Sequence, residues 1–289
     1  MNSRKGNFPR GNIRKGENRH QRTGRVVRSG PGSGKGGSQG ITADFGGKRL
    51  IMGRNTVREA LLKNDKSIET LLAAESQSNE ERRSAILELA NKKGIAVSSS
   101  SFDELTAVVR SDSHQGFVAV MKGERFTELR DYLSGQAKNA KQLVVLLDEI
   151  HDPQNFGSIL RAAECFGANA VVWSKNRGAP LSPVVSKVSV GASELLTLIQ
   201  VSNLVDAAKK LKENGFWLIG ADVNTEASPL SQFEFPEKVA VVLGSEESGM
   251  HDLLARQLDY RIFIPMHGKI DSLNVSQAAA VILSAVRRN

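Results

Sequence analysis

Three short segments of this 289-residue chain gather polar, chemically capable side chains at places where apolar runs stop. The first reads Leu147-Asp148-Glu149-Ile150-His151-Asp152-Pro153-Gln154-Asn155-Phe156, with Arg161 six residues after Asn155. The second is Val241-Val242-Leu243-Gly244-Ser245-Glu246-Glu247-Ser248-Gly249-Met250, and the third runs from Ile264-Pro265 through Ser272-Leu273-Asn274-Val275-Ser276. A guanidinium keeps its proton in proteins, so Arg161 suits holding a phosphate or stabilising an oxyanion better than serving as a base. Asn155 is a natural N-cap for a helix expected over 156–166. Gly244 ends a strand and lets backbone approach a ligand closely, while a carboxylate at Glu246 can accept loop N–H groups. Pro265 lacks the N–H that a continuing ladder needs. Beyond it, Ser272 or Asn274 can cap a helix whose apolar positions are Val275, Ala279, Ile282, Leu283 and Val286.

The elements that must position these residues follow from hydrophobic pattern. From Leu143 onward, apolar strands (143–147, 170–173, 196–201, 216–220, 239–243, 260–264) alternate with helices near 156–166, 183–194, 203–214, 250–257 and 275–287. Such alternation predicts an α/β fold with a parallel sheet covered on both faces. Ligands bind beyond the carboxyl ends of such strands, where all three segments fall. Residues 48–123 read as a smaller α/β module, with a helix from Asn55, one over 80–93 ending at Gly94, and a strand at Phe117–Met121. Residues 124–141 read as a polar linker, and 142–289 as the larger domain.

Composition narrows the class. Residues 1–40 carry ten Lys/Arg against the single acid Glu17, which is +9 of the chain's +8 and leaves −1 for the remainder. Any attraction of nucleic acid to the folded part must therefore come from local patches. Residues 1–47, rich in Gly and Arg, are expected to be disordered and to touch nucleic-acid phosphates non-specifically. The run Gly32-Ser33-Gly34-Lys35-Gly36-Gly37 satisfies a dinucleotide pattern but lacks the flanking strand and helix, and it fails the Walker pattern. The single cysteine, Cys165, predicts a small buried side chain in a reducing, cytoplasmic setting without disulfides. No apolar run approaches a membrane span, and the histidines at 20, 114, 151, 251 and 267 show no metal-ligand spacing. His114 is a candidate contact for a nucleic-acid partner; Trp173 and Trp217 read as core.

The three segments, in order and spacing, resemble the motifs of the SpoU (TrmH) family of RNA ribose methyltransferases in the SPOUT superfamily, over about residues 140 to 288. A weaker similarity to that family's substrate-binding domain spans about 48 to 123, resting on Ile51-Met52-Gly53-Arg54-Asn55-Thr56-Val57-Arg58-Glu59-Ala60 and His114-Gln115-Gly116-Phe117. The resemblance implies a deep trefoil knot, a homodimer with its interface beside the cofactor site, and S-adenosylmethionine as methyl donor to a ribose 2′-hydroxyl. It implies that backbone groups of Gly244, Ile264 and Leu273 hold the cofactor. Glu246, Ser272 and Ser276 shape its loops, and Asn155, Arg161 and Asn274 serve the reaction. No metal is implied. Where family members commonly have Gly after the glutamate, this chain has Glu247. The two-domain plan favours a guanosine of large-subunit (23S) ribosomal RNA; alternatives are a tRNA guanosine and a non-catalytic RNA-binding assembly factor.

Overall fold

A computed structural model describes residues 45, 48–63, 67–75, 80–123, 126–135, 141–222, 227–245 and 249–288. The basic tail, but for Phe45, and Glu246 lie outside the described residues.

The first half of the described chain runs β1 (Leu50–Met52), α1 (Arg54–Leu62), β2 (Ile68–Ala74), α2 (Glu80–Lys92), β3 (Ala96–Ser100), α3 (Phe102–Val109) and β4 (Phe117–Met121). These build a four-stranded sheet ordered β1-β4-β2-β3, antiparallel about β4 and parallel between β2 and β3. Ser101 and Glu104 close a reciprocal capping box that starts α3.

The second half runs α4 (Leu129–Ser134), β5 (Gln142–Leu147), α5 (Pro153–Cys165), β6 (Ala170–Ser174), α6 (Pro183–Val188), α7 (Ala192–Leu195), β7 (Thr197–Val201), α8 (Leu204–Glu213), β8 (Trp217–Ala221), β9 (Ser228–Pro229), β10 (Lys238–Leu243), α9 (Asp252–Ala255), β11 (Tyr260–Phe263) and α10 (Val275–Arg288). Its seven strands pair in parallel in the order β7-β6-β5-β10-β8-β11-β9. Alternate residues of β5 feed opposite faces: Leu143, Val145 and Leu147 pack with α5 and α10, and Val144 and Leu146 with α8. The expected α/β class with a parallel sheet is what the chain forms.

Several local expectations need correcting. His114 is fully buried. Its Nδ1 accepts from the Gly116 N–H at 3.0 Å, its Nε2 lies 3.0 Å from the Thr106 hydroxyl, and the Phe102 ring lies against it, tilted by 45° with centroids 4.2 Å apart. It pins the turn into β4 and cannot reach RNA. Cys165 is exposed because it shares a helical stripe with Gln154, Ser158 and Arg161, away from the buried Ile159, Leu160 and Ala163. Trp217 is 45% exposed at the start of β8, beside Tyr260. The helix expected over 183–194 breaks into α6 and α7 at Gly191 (φ 93), where a Cβ would lie 2.8 Å from that of Glu59. The segment read as linker contains α4, whose Leu129 and Tyr132 are buried, and the Thr127 N–H donates to the Leu198 carbonyl at 2.8 Å.

The small sheet docks on the large one through polar contacts. Arg49 holds Glu194 by two bonds of 2.6 and 3.0 Å, with side chains 12% and 3% exposed. Lys63 Nζ donates to the Glu194 carbonyl at 2.6 Å, and the Thr56 hydroxyl to the Ser186 carbonyl at 2.9 Å. Removing one partner strands a buried charge. Glu194→Ala should cost about 3–5 kcal/mol in denaturant unfolding, and the paired change Arg49→Met with Glu194→Leu should cost less than either single one.

His114 sets a pH dependence. Burial, its largest influence, lowers its pKa, so the unfolded chain binds a proton more readily. Stability should fall as pH drops through about 6.5 and level off below the folded value. Thermal unfolding of wild type and His114→Gln at about pH 7.5 and about pH 5 checks this: the substitution should remove part of the acid loss.

Candidate active site

The three segments converge at the carboxyl edge of the large sheet. Beyond β5, the Asp148 N–H donates to the Leu243 carbonyl at 2.9 Å, and Asp148 Oδ2 accepts from the His251 N–H at 2.8 Å. This residue, 5% exposed, thus holds the end of β10 with its backbone and the start of α9 with its carboxylate. Burial pushes its pKa up, opposed by the His251 bond. Next in the chain, Glu149 has φ 55, a left-handed backbone that a non-glycine residue adopts at a cost.

The N-cap of α5 is Asp152, correcting the assignment to Asn155. Its oxygens accept from the Gln154 and Asn155 N–H groups at 3.1 Å each, with Pro153 at the first helical position. Proline there needs no N–H partner, so Asp-Pro was the better capping signal in the sequence. With backbone duty taken by Asp152, the Asn155 side chain reaches outward. Its Oδ1 accepts from Asn274 Nδ2 at 2.9 Å.

Asn274 performs two tasks. Its Oδ1 accepts from the Ser276 N–H at 2.9 Å and from the Ser276 hydroxyl at 2.6 Å, capping α10. The Ser276 N–H can only donate, which fixes the Asn274 amide so that its NH₂ faces Asn155. One side chain therefore caps α10 and ties that helix to the start of α5.

Beside this junction lies a cavity of about 260 Å³ bordered by Gly244, Ser245, Gly249, Ile264, Ser272 and Leu273, with Val275, Ala278 and Ile282 of α10 as its apolar wall. Gly244 has no substitute: a Cβ would stand 2.3 Å from the Gly249 carbonyl carbon. Ser245 and Gly249 exchange backbone bonds of 2.9 and 3.1 Å, closing a hairpin in which Gly249 has φ 67. Of the residues named from sequence, Gly244, Ile264, Ser272 and Leu273 meet at this cavity. Asn274 and Ser276 flank its wall residue Val275 in sequence and Asn155 is bonded to Asn274, while Arg161 is exposed on the outer stripe of α5 and is not among the residues bordering it.

Sequence reasoning missed Asp222 and Asp271, which also line the cavity. Asp222 follows β8 directly, and a carboxylate just past an apolar strand was a readable signal. It pairs with Arg261, and its N–H donates to the Ile262 carbonyl at 3.0 Å. Among the described residues no group of three or more His, Cys, Asp or Glu is placed to hold a metal, and no helix is long and apolar enough to cross a membrane.

The large domain is thus a parallel α/β sheet with a ligand-sized cavity walled by loops at its strand ends, joined to a small mixed sheet. The SpoU rRNA methylase family model matches residues 142–284, and that for RNA 2′-O ribose methyltransferase substrate binding matches residues 50–127. The 23S rRNA (guanosine-2′-O-)-methyltransferase RlmB of Neisseria meningitidis is 37% identical over 83% of this chain and 95% of its own. The enzyme of the same name from Acinetobacter baylyi is 34% identical over 71% of this chain and 83% of its own. The crystal structure of the SpoU methyltransferase AviRb from Streptomyces viridochromogenes in complex with the cofactor AdoMet shares the fold, with a TM-score of 0.68 at 24% identity over 84% of this chain and 90% of that one. The chain belongs to the SpoU rRNA methylase family.

The two roles of Asn274 are separable. Asn274→Asp keeps the acceptor that caps α10 but cannot donate to Asn155. Asn274→Ala should cost about 1 kcal/mol of stability through the lost cap, and the aspartate variant much less. Both should lower methyl transfer; unfolding and single-turnover rates on the two proteins check this.

Proposed function

We propose that this protein transfers a methyl group from S-adenosylmethionine to the ribose 2′-hydroxyl of a guanosine in large-subunit ribosomal RNA. The observation that carries the reading is the junction of Asn155 and Asn274 beside a cavity floored by Gly244. The 23S rRNA naming of the two relatives, which align along most of this chain, supports the substrate.

The cavity suits the methyl donor. Gly244 leaves room for a ligand against backbone, Leu243, Val275 and Ile282 offer apolar surface to an adenine, and Asp222, Asp271 and Ser272 offer acceptors to ribose hydroxyls and a cation. Backbone groups of Gly244, Ile264 and Leu273 would hold the nucleoside, with Ser276 fixing the loop through Asn274 and Glu246 serving the hairpin. When bound, S-adenosylmethionine supplies a methyl group on a positively charged sulfur. The chain's own work is to exclude water, orient the accepting hydroxyl with Asn155 and Asn274, and stabilise its oxygen with a fixed cation. Arg161 is assigned that cation. Its proton stays in place, and the hydroxyl proton leaves to a phosphate oxygen or water.

A homodimer fits this assignment. Ile270, Leu273 and Val281 are 76%, 37% and 41% exposed near the cavity, and Arg161 lies on an open face of the adjacent helix. A second copy packed there would cover these apolar groups and enclose the arginine. The trefoil knot belongs to the same proposal, with β11 seated between β8 and β9 and α10 packed on α5. The small sheet, with Arg54, Arg58 and Gln115 around a cavity between α1 and α2, is assigned to RNA binding.

The test is transfer of labelled methyl to ribosomal RNA and, separately, to tRNA, followed by nucleoside analysis. The expected product is 2′-O-methylguanosine in large-subunit RNA; label confined to tRNA would overturn the substrate. Arg161→Ala should lower the rate at least about 100-fold, the scale of one lost transition-state cation, with cofactor binding retained. Gly244→Ala should instead weaken S-adenosylmethionine binding by at least about tenfold in calorimetry, because the added methyl collides with the hairpin.

A further inference from the structure

The residues after the first forty sum to a charge of −1, so the folded part cannot attract RNA through bulk charge. A second cleft, of about 580 Å³, lies at the carboxyl ends of β5, β6 and β7 and is bordered by Arg177, Lys209, Arg256, Asn176, Asn203 and His251. It sits on the α8 side of the sheet, against Leu204 and Leu254, whereas the cavity at Gly244 sits on the α10 side.

Three features make this cleft a place for phosphates. First, its cations are available. Among the described residues Lys209 and Arg256 have no carboxylate partner, and Arg177 meets only Glu149, at 3.5 Å with a side chain 58% exposed. Second, the opposing acids are few. Asp206 is exposed, and Asp148 is buried with one oxygen engaged by the His251 N–H. Third, the cleft adjoins the proposed reaction site. Asp148 borders it, and four residues later Asp152 caps the helix that carries Asn155. That separation is at most about 14 Å of chain, a few nucleotides of a strand.

We propose that this cleft is a second RNA site, holding backbone phosphates of nucleotides that flank the target on the same strand. It rests on the reading that RNA is the substrate, and adds to the small sheet and the basic tail a contact made by the methylase domain itself. Arg177, Lys209 and Arg256 are the phosphate ligands; Asn176 and Asn203 supply amide hydrogen bonds at the strand ends. Each contact to single-stranded RNA releases about 0.7 of a counterion, so losing all three should reduce the salt slope of binding by about 2.

The experiment compares the full chain with Arg177→Ala/Lys209→Ala/Arg256→Ala and with the charge-preserving Lys209→Arg/Arg256→Lys. It measures filter binding of a large-subunit RNA fragment at several salt concentrations, S-adenosylmethionine affinity by calorimetry, and KM for RNA. The triple variant should show the flatter salt slope, roughly tenfold weaker RNA binding near 0.15 M salt and a matching rise in KM. Cofactor affinity should be unchanged, and the charge-preserving pair should behave as wild type. Unaltered RNA binding and slope in the triple variant would overturn the proposal. Protection of the cleft by guanosine monophosphate, lost in the triple variant while RNA binding persists, would overturn it in favour of a small phosphate ligand. Because the binding arm needs no turnover, absence of methyl transfer by wild type would refute the enzymatic reading separately.

Discussion

A single amide bridge holds the site together. Asn274 donates to Asn155 while capping α10, and so the amino ends of two helices, 119 residues apart in sequence, are brought together beside one cavity. Each helix is independently committed to the sheet: Phe156, Ile159 and Leu160 bury one, Ala279, Ile282 and Leu283 the other. Packing alone would set them side by side with freedom to slide. A hydrogen bond between two short side chains, one of them fixed by its cap, removes that freedom. Both amino ends bring the positive end of a helix dipole to the same junction, a favourable setting for an oxygen that gains negative charge.

The other side of the cavity is held by Asp148. With its N–H on the Leu243 carbonyl and its carboxylate on the His251 N–H, it ties the end of β10 to the start of α9. Between these ties, the Gly244 backbone packs against that of Gly249. The two ties divide the work: Asp148 joins the end of β10 to the start of α9, and Asn274 places the residues assigned to the accepting hydroxyl. Arg49 and Glu194 extend the same logic to the small sheet, whose α1 faces the larger domain with Thr56 and borders a cavity with Arg54 and Arg58.

Much of this was legible in the sequence, for identifiable reasons. Apolar runs such as Leu143–Leu147 and Val239–Leu243 are buried on both faces, so they stand out without alternation. Gly244, Ile264, Ser272 and Leu273 could be gathered because parallel strands end on one edge. What escaped depended on orientation or distance. Cys165 belongs to an outward stripe that its neighbours Ala162 and Ala163 conceal, and Trp217 opens an otherwise buried strand at a solvent-facing end. His114 looked like a binding group, but the partners that neutralise it, Thr106 and Gly116, become neighbours only in the turn. The Arg49–Glu194 pair spans 145 residues, and no local pattern announces it. Arg161 shows the limit most clearly: its type and spacing mark it for chemistry, yet in one chain it faces outward.

The most direct test of this account is a double-mutant cycle on the bridge, measuring single-turnover methyl transfer for wild type, Asn155→Ala, Asn274→Ala and the double variant. If the two amides act as one unit, the double variant should be scarcely slower than the slower single one, a coupling of about 1–2 kcal/mol. Independent, additive losses would contradict it, leaving the contact as two helix ends that happen to touch.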